Sequence, residues 1–450
     1  MTACLEHLGA RIARSEARNL AAPVREKLRL HVADTIAAWV AGSRTAEGRA
    51  LVAFRRREAG NDACDAYLLD AVGTHCALAR LSEVDDIHLA SMTTPGSIVI
   101  PAAFTIARRI GGHDPADLSS AIVAGYEAMI RLGLAIDGPT VLYRGIWPTY
   151  FAAPFAVAAV AARLLRLDER QTAHALALAL TFASPGVGHH NALTTSRWLA
   201  VGNAARNGLQ AAFAAQAGFT ADVSLIDSGF LANVYGIAPR TEALTEDFDE
   251  PLFLQVSLKP WCAARQTMAA TQALREVLDD GVRPEDITAV HASVLPPHLK
   301  MIDHGVAAGN RASYLTSLPY QMAIAALEPA TALDLAVREL SPALQEFMGR
   351  IQVSGDEQLL PAYPSAWPAR ISVETRAGKR EHHVTHVPGD PPRLLAEGDV
   401  AAKFDRLLGP IIGGGEAHSL RCRIADASAD EGSLTTLLAA IDRIGSAGEC

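Results

Sequence analysis

The sequence has few aromatic and few charged residues. Aromatic residues make up 6% of the 450 residues and charged residues 20%, whereas half of the chain is hydrophobic. Abundant alanine with few aromatic residues favours closely packed helices over a β-sandwich. The hydrophobic half is enough for a large core, and the length predicts two to three domains.

The chain also lacks paired cysteines, basic tracts and long apolar runs. The net charge of −9 without a basic tract argues against nucleic acid as a partner. Residues 1–22 contain no apolar signal-peptide core, and the most apolar segment, residues 151–165, is too short to span a bilayer. We expect a cytoplasmic protein with no membrane partner and reduced thiols. No CxxC pair occurs among Cys4, Cys64, Cys76, Cys262, Cys422 and Cys450, so neither zinc nor a disulfide framework is implied.

The first 260 residues show helical signals one after another. Apolar residues recur about one turn apart over residues 23–40. Asp114 and Pro115 form a helix start, and Asp168 with Gln171 has the spacing of a capping box. Small residues over 202–217 predict another helix. The sequence therefore predicts an all-helical domain over residues 1–262, completed by helices at about 395–450.

The composition changes after residue 278. Alternating apolar residues predict strands at 287–294, 351–353, 369–375 and 381–385, with a glycine-containing hairpin turn at 376–379 and a helix at 320–327. We expect a smaller α+β domain over residues 263–394. The predicted fold class is mainly α, with a large all-helical domain and a lid-like second domain.

Residues 83–97 contain three carboxylates and a histidine followed by an abrupt turn. Asp85, Asp86 and His88 lie close behind Glu83, and a Thr-Thr-Pro-Gly turn precedes an apolar helix. Buried carboxylates need partners, water or a ligand. The alternative is a solvated loop ahead of a helix.

This motif resembles the signature of the MmgE/PrpD family, whose members include 2-methylcitrate dehydratase, cis-aconitate decarboxylase and iminodisuccinate epimerase. The family pattern is acidic-x-Asp-Asp-Thr-His, then His-Pro-Gly and an apolar helix. Four more stretches resemble family elements in the family's order, and the resemblance covers most of the chain. They are residues 145–149 (GIWPT), 197–208 (RWLAVGNAARNG), 257–265 (SLKPWCAAR) and 317–323 (SLPYQMA).

The resemblance implies proton abstraction beside a carboxylate, followed by loss of water or carbon dioxide or by reprotonation. Such a site needs a base and cations that stabilise a dianion. Asp85 and Asp86 could instead orient cationic or imidazole groups, and His88 could be an ordinary loop residue. The implied catalytic residues are Lys259, Tyr320, Asp85 and His88, and the implied substrate-binding residues are Arg197, Arg265, Thr94, Trp147 and Asp86.

Four positions depart from the family pattern. Thr94 and Trp147 replace histidines, Arg197 replaces a lysine, and Ile87 replaces a threonine. A histidine base at position 94 is therefore lost, and arginine stays protonated. Either another residue takes the proton or this branch performs different chemistry, and Trp147 argues against assuming a tricarboxylate substrate. The remaining candidates for the base are His88, His189, His190, Tyr320 and Lys259.

Three functions remain open. The first is a lyase that acts on a small carboxylic acid without a cofactor. The second is an epimerase of an iminodisuccinate-like dicarboxylate, and the third is a non-catalytic carboxylate-binding homologue. His189 and His190 have no third ligand at a recognisable spacing, so we expect no metal.

We expect the site in a cleft between the two domains. Lys259 would either grip a substrate carboxylate or act as a base whose proton affinity is lowered by Arg197 and Arg265. The resemblance also implies a homodimer.

Overall fold

The computed structural model describes residues 2–15, 20–59, 68–184, 194–337, 339–427 and 431–446. The chain divides into two compact units. The helical unit comprises residues 1–189, 195–256 and 396–450, and the smaller unit comprises residues 190–194 and 257–395. The fold is mainly α with a smaller α+β part, as predicted.

The described part of the helical unit consists mainly of α-helices of 11 to 22 residues, with three shorter ones. Local capping fixes several of their starts. The Asp114 carboxylate accepts a hydrogen bond from the backbone nitrogen of Asp117, and Asp168 forms the predicted capping box with Gln171. Both predicted helix starts are confirmed. The helices are α1 Cys4–Arg14, α2 Ala22–Ser43, α3 Ala46–Ala59, α4 Leu68–Leu81, α5 Gly96–Ile110, α6 Pro115–Ala135, α7 Gly138–Leu142, α8 Pro148–Leu164, α9 Glu169–Thr181, α10 Ser196–Gln216, α11 Phe230–Tyr235 and α12 Glu242–Thr245, with α18 Glu397–Ile412, α19 Gly414–Asp426 and α20 Glu431–Ser446 near the C-terminus.

Helices α4 and α10 approach each other at a pair of glycines. A Cβ atom added to Gly73 would lie 2.7 Å from the Gly202 carbonyl oxygen, and one added to Gly202 would lie 2.7 Å from that of Gly73. Only glycine permits this backbone contact. The crossing places the end of α4, which carries Arg80, near the start of α10, which carries Arg197.

The smaller unit contains one four-stranded sheet in the order β2–β1–β3–β4. Strand β1 pairs in parallel with β2 and antiparallel with β3, and β3 forms an antiparallel hairpin with β4. The four predicted strands and the hairpin are confirmed, although β4 starts earlier than predicted because residues 378–380 continue the pairing with β3. The elements are α13 Arg265–Asp279, β1 Ile287–Val294, α14 Leu299–Ile302, α15 Arg311–Thr316, α16 Leu318–Leu327, α17 Pro342–Met348, β2 Ile351–Gly355, β3 Ala369–Thr375 and β4 Gly378–Val384.

Among the described helices, α6 alone has the length and hydropathy of a membrane span. Its most apolar 18-residue window is 83% buried within the protein. Burial to this extent is what a helix in the core of a helical unit shows.

Candidate active site

The acidic motif lies inside the helical unit, in the connection between α4 and α5. Glu83, Asp85, Asp86 and His88 are at most 4% exposed, so the alternative of a solvated loop is wrong. The backbone of Glu83 (φ 58°) and of Met92 (φ 57°) is left-handed, which is uncommon for residues other than glycine. Such conformations cluster at functional sites, where the surrounding structure holds them.

Two arginines and two carboxylates form a buried ladder beside this connection. Arg80 Nη1 lies 2.8 Å from Glu83 Oε2 and donates to Asp85 Oδ1 at 3.2 Å. Burial alone would lower the pKa of the Arg80 guanidinium, but Asp85 and Glu83 together raise it above its usual range. Arg197 Nη2 donates to Glu83 Oε1 at 3.0 Å. We call Arg80, Glu83, Asp85 and Arg197 the charge ladder.

The Arg197 guanidinium also lies against two indole rings. Its central carbon is 4.8 Å from the Trp147 ring centroid and 4.5 Å from that of Trp198. Stacking of arginine on aromatic faces is favourable and restricts the orientation of the guanidinium plane. Trp147 therefore fixes the end of the charge ladder, in addition to making the surroundings apolar.

Thr94 is tied to the start of α8. Its backbone nitrogen donates to Thr149 Oγ1 at 3.0 Å, and the two hydroxyl oxygens are 3.2 Å apart. Pro148 occupies the first turn of α8, directly after Trp147. The Thr94 turn and the Trp147 side chain are consequently anchored on the same helix start.

Asp86 is the centre of a second buried network. Its carboxylate accepts hydrogen bonds from His31 Nδ1 at 2.8 Å, Tyr126 Oη at 2.6 Å and the Gly96 backbone nitrogen at 2.7 Å. Asp86 thus orients an imidazole, one of the two roles that the sequence left open.

Lys403 of α18 also contacts the connection between α4 and α5. Its Nζ lies 2.5 Å from Asp34 Oδ1 and donates to the Val84 carbonyl oxygen at 3.0 Å. Burial raises the pKa of Asp34 to about 6, although Lys403 opposes the shift. The C-terminal part of the helical unit therefore contributes directly to the position of the acidic motif.

His88 is buried as a neutral imidazole. Burial lowers its pKa to about 4. Because its Nδ1 accepts a hydrogen bond from the Ser91 backbone nitrogen at 3.2 Å, the proton belongs on Nε2, which faces Gln255 Oε1 at 3.4 Å. The lone pair of the ring is therefore already engaged within the connection.

Lys259 and Arg265 both lie in the smaller unit, whereas the predicted boundary at residue 262 put Lys259 in the helical domain. Both residues are only 2% exposed. Arg265 Nη2 donates to both Asp390 oxygens, at 2.9 and 2.7 Å, and the guanidinium lies 5.6 Å from the Trp367 ring centroid. The geometry gives Arg265 a partner within its own unit. Next to Lys259, the Leu258 backbone nitrogen donates to the Gly389 carbonyl oxygen at 3.0 Å.

Tyr320 is half-buried near the start of α16. Ser317 caps this helix through the Tyr320 backbone nitrogen, and the Tyr320 ring packs edge-to-face on Tyr314 at 5.0 Å between centroids. A cavity of about 30 Å³ next to Tyr320 has room for roughly one water molecule.

The predicted site residues fall into two groups, one in the helical unit and one in the smaller unit. Asp85, Arg197 and Trp147 belong to the charge ladder or touch it, and Asp86, His88 and Thr94 flank it along the same connection. Lys259, Arg265 and Tyr320 belong to the other unit, and the shared cleft stays a prediction. His189 and His190 lie outside the described residues, among which no group of three histidine, cysteine, aspartate or glutamate residues is placed to hold a metal ion.

Three residues of the site were not predicted from the sequence: Arg80, His31 and Tyr126. Arg80 interrupts an apolar stretch of α4 three residues before Glu83, which is a detectable signal for a buried ion pair. His31 and Asp34 are polar residues on an otherwise buried part of α2. Tyr126 gives no such signal, because a tyrosine in an apolar helix is common in protein cores.

A large cavity of the helical unit lies elsewhere. Its volume is about 760 Å³, and its lining includes Phe104 of α5, Leu434 and Leu438 of α20, and His113 from the connection after α5. None of the predicted site residues lines it. The charge ladder, which contains predicted residues, is therefore the candidate site and this cavity is not.

Comparison with known proteins matches both parts of the chain to one family. The MmgE/PrpD N-terminal domain family matches residues 6–239, and the MmgE/PrpD C-terminal domain family matches residues 261–429. A protein of Aspergillus oryzae, named cis-aconitate decarboxylase-like protein oryM, is 31% identical over 156 residues. That match spans 33% of this chain and 32% of the relative.

Proposed function

Because the chain belongs to the MmgE/PrpD family, we propose that it is a lyase acting on a small carboxylic acid. The reaction begins with abstraction of a proton next to a carboxylate and continues with loss of water or carbon dioxide. The observation that carries this proposal is the buried charge ladder with Trp147 and Thr94 beside it. The partial likeness to a cis-aconitate decarboxylase-like protein supports the same reaction class.

The ladder suits an enolate-like intermediate. When the C–H bond breaks, its electron pair moves onto the adjacent carboxylate, so the negative charge there grows. Fixed cations in a buried site stabilise growing charge more strongly than they do in water. Arg197 has five N–H donors. Within the described part of the chain, its Nη2 donates to Glu83 and its buried Nε has no hydrogen-bond partner, so the guanidinium offers a donor to a substrate carboxylate.

Lys259 is the residue that we propose to act directly on the substrate, as a cation for a carboxylate or as the base. Lys259→Ala removes most turnover in both cases. Lys259→Arg separates them, since arginine keeps the charge but does not readily accept a proton. Substantial turnover by the arginine variant supports the carboxylate grip and excludes an essential base. Wild-type turnover by the alanine variant would place the site elsewhere.

An epimerase is the second candidate, and the Thr94 contacts favour it. The Thr94 hydroxyl is bonded to Thr149, and epimerisation needs no acid for a leaving group. Incubation with candidate carboxylic acids in deuterated water distinguishes the functions. A lyase produces an alkene that absorbs in the ultraviolet, and an epimerase exchanges the proton without elimination. A carboxylate-binding protein does neither and shows only binding in calorimetry.

A further inference from the structure

We propose that His31 and Tyr126 are positioning residues that hold the turn carrying Thr94, acting through the Asp86 carboxylate. The predicted effect on turnover rests on the proposed function, whereas the predicted effect on the structure of the turn does not. The three donors to Asp86 come from separate segments: His31 from α2, Tyr126 from α6, and the Gly96 nitrogen from the start of α5. One carboxylate therefore joins two helices to the turn.

The turn fits this carboxylate closely. A Cβ atom on Gly96 would lie 2.6 Å from Asp86 Oδ2, so the approach of the turn requires glycine at this position. Two residues earlier, Thr94 is bonded to Thr149 on the other side. The turn is thus held from both ends, by Asp86 at Gly96 and by α8 at Thr94.

All three partners donate to Asp86, which identifies the carboxylate as the acceptor of the network. Burial lowers the pKa of His31, and the neighbouring charges of Lys27 and Lys403 act in the same direction against the pull of Asp86. His31 is therefore a neutral imidazole that donates through Nδ1. Among the described residues, its buried Nε2 has no hydrogen-bond partner.

His31 and Tyr126 donate to Asp86 and not to the turn itself, so they act on the turn indirectly. His31 is 1% exposed and Tyr126 is fully buried, and the rings pack edge-to-face on each other and on Phe253. Losing either donor leaves Asp86 partly unmatched, so the carboxylate relaxes away from the Gly96 nitrogen. The turn then loosens while the rest of the helical unit stays folded.

Asparagine and leucine variants at position 31 test this role. The side-chain nitrogen of His31→Asn replaces the Nδ1 donor, whereas His31→Leu fills the space without a donor. Hydrogen exchange of a peptide containing residues 90–100 should accelerate at least tenfold in His31→Leu and return close to wild type in His31→Asn. Tyr126→Phe should accelerate the same amides. His75→Leu is the control, because His75 binds Thr105 and not Asp86.

Kinetics with the acid that the wild type converts provide the second readout. Residues that orient a site through another group cost about 10- to 100-fold when lost. We expect kcat of His31→Leu to fall in this range with KM changing less than threefold, and His31→Asn to recover most of kcat. A loss caused only by lower stability would appear equally in His75→Leu and would not be rescued.

Two results overturn the inference. One is unchanged exchange of residues 90–100 in His31→Leu, and the other is an asparagine variant as impaired as the leucine variant. If wild type converts no carboxylic acid, the proposed function fails, but the exchange measurement still decides whether His31 holds the turn.

Discussion

At the scale of single residues, this protein has several buried charges that pair with one another. Arg197 and Arg265 were both predicted to bind substrate carboxylates, and each has a carboxylate partner inside its own unit. Removing one member of a buried pair leaves an uncompensated charge, which costs far more than an exposed pair contributes. Both arginines therefore have a structural role, whatever they contribute to binding.

Arg265 and Asp390 should behave as one energetic unit. We predict that Arg265→Met and Asp390→Asn each lower the free energy of unfolding by about 3–5 kcal/mol, because each leaves the other charge buried. The double variant should lose clearly less than the sum of the two. Urea unfolding of the four proteins measures this coupling.

An exposed pair of the same unit is the control. Arg283 and Asp286 are 2.8 Å apart with the arginine 66% exposed, so Arg283→Ala should lower the free energy of unfolding far less than Arg265→Met does. Additive losses in the Arg265–Asp390 cycle would show that the two residues are not coupled.

At the scale of elements, the crossing of α4 and α10 sets the geometry of the charge ladder. Arg80 lies seven residues after Gly73 on α4, and Arg197 lies five residues before Gly202 on α10. The glycine contact brings the backbones together, and Glu83 then reaches both arginines. Helix packing thus determines which charges meet.

Gly202→Ala should disturb this crossing. The added methyl group would meet the Gly73 carbonyl oxygen at 2.7 Å, so the helices must separate. Overpacking of this kind costs about 1–3 kcal/mol, and we expect turnover to fall as Arg197 moves from Glu83. Thermal unfolding and steady-state kinetics measure the two effects.

Gly398 provides the matched control within the same unit. It lies in α18, and a Cβ atom there would meet no atom within 4 Å. Gly398→Ala should leave turnover unchanged and stabilise by up to about 1 kcal/mol, as alanine does in helices. Equal behaviour of the two alanine variants would contradict the importance of the crossing.

At the scale of the whole molecule, buried neutral histidines make stability depend on pH. Burial and the Arg265 charge lower the pKa of His298 to about 3, and this ring packs against Tyr363 and Trp367. The unfolded chain takes up the proton near pH 6.5, so stability is lost as the pH falls below that value. His88 acts in the same direction, and Asp34, whose pKa is raised, acts in the opposite direction.

Replacing His298 by glutamine should remove its part of this dependence. Between pH 7.5 and 5.5, the wild type should lose about 1.4 kcal/mol more unfolding free energy than His298→Gln. Urea unfolding at the two pH values gives the difference, and any constant cost of the substitution cancels. Equal losses would mean that His298 takes up a proton as readily in the folded protein as in the unfolded chain, so that burial does not lower its pKa.

Homodimerisation stays a prediction based on family membership and on the aromatic-poor helices. Light scattering at micromolar concentration should report twice the chain mass of 47.6 kDa. A mass near that of one chain would contradict the prediction of a homodimer.

Features that depend on contacts between neighbouring residues could be predicted from the sequence alone. The caps at Asp114 and Asp168 join atoms three residues apart, and the hairpin between β3 and β4 turns within a few residues. Local spacing is enough to specify such contacts, which is why most elements and the two-part composition were predictable. The ordered motifs also indicated the family, which the comparisons confirmed.

Which buried charges pair with one another could not be predicted from the sequence, because the partners are far apart along the chain. Glu83 and Arg197 are 114 residues apart, His31 and Asp86 are 55 apart, and Arg265 and Asp390 are 125 apart. Sequence patterns showed that the carboxylates needed partners, but many arginines and lysines could have supplied them. The choice depends on how helices cross, and a backbone contact such as that between Gly73 and Gly202 fixes the crossing to within a few ångströms, the range over which an ion pair forms or is lost.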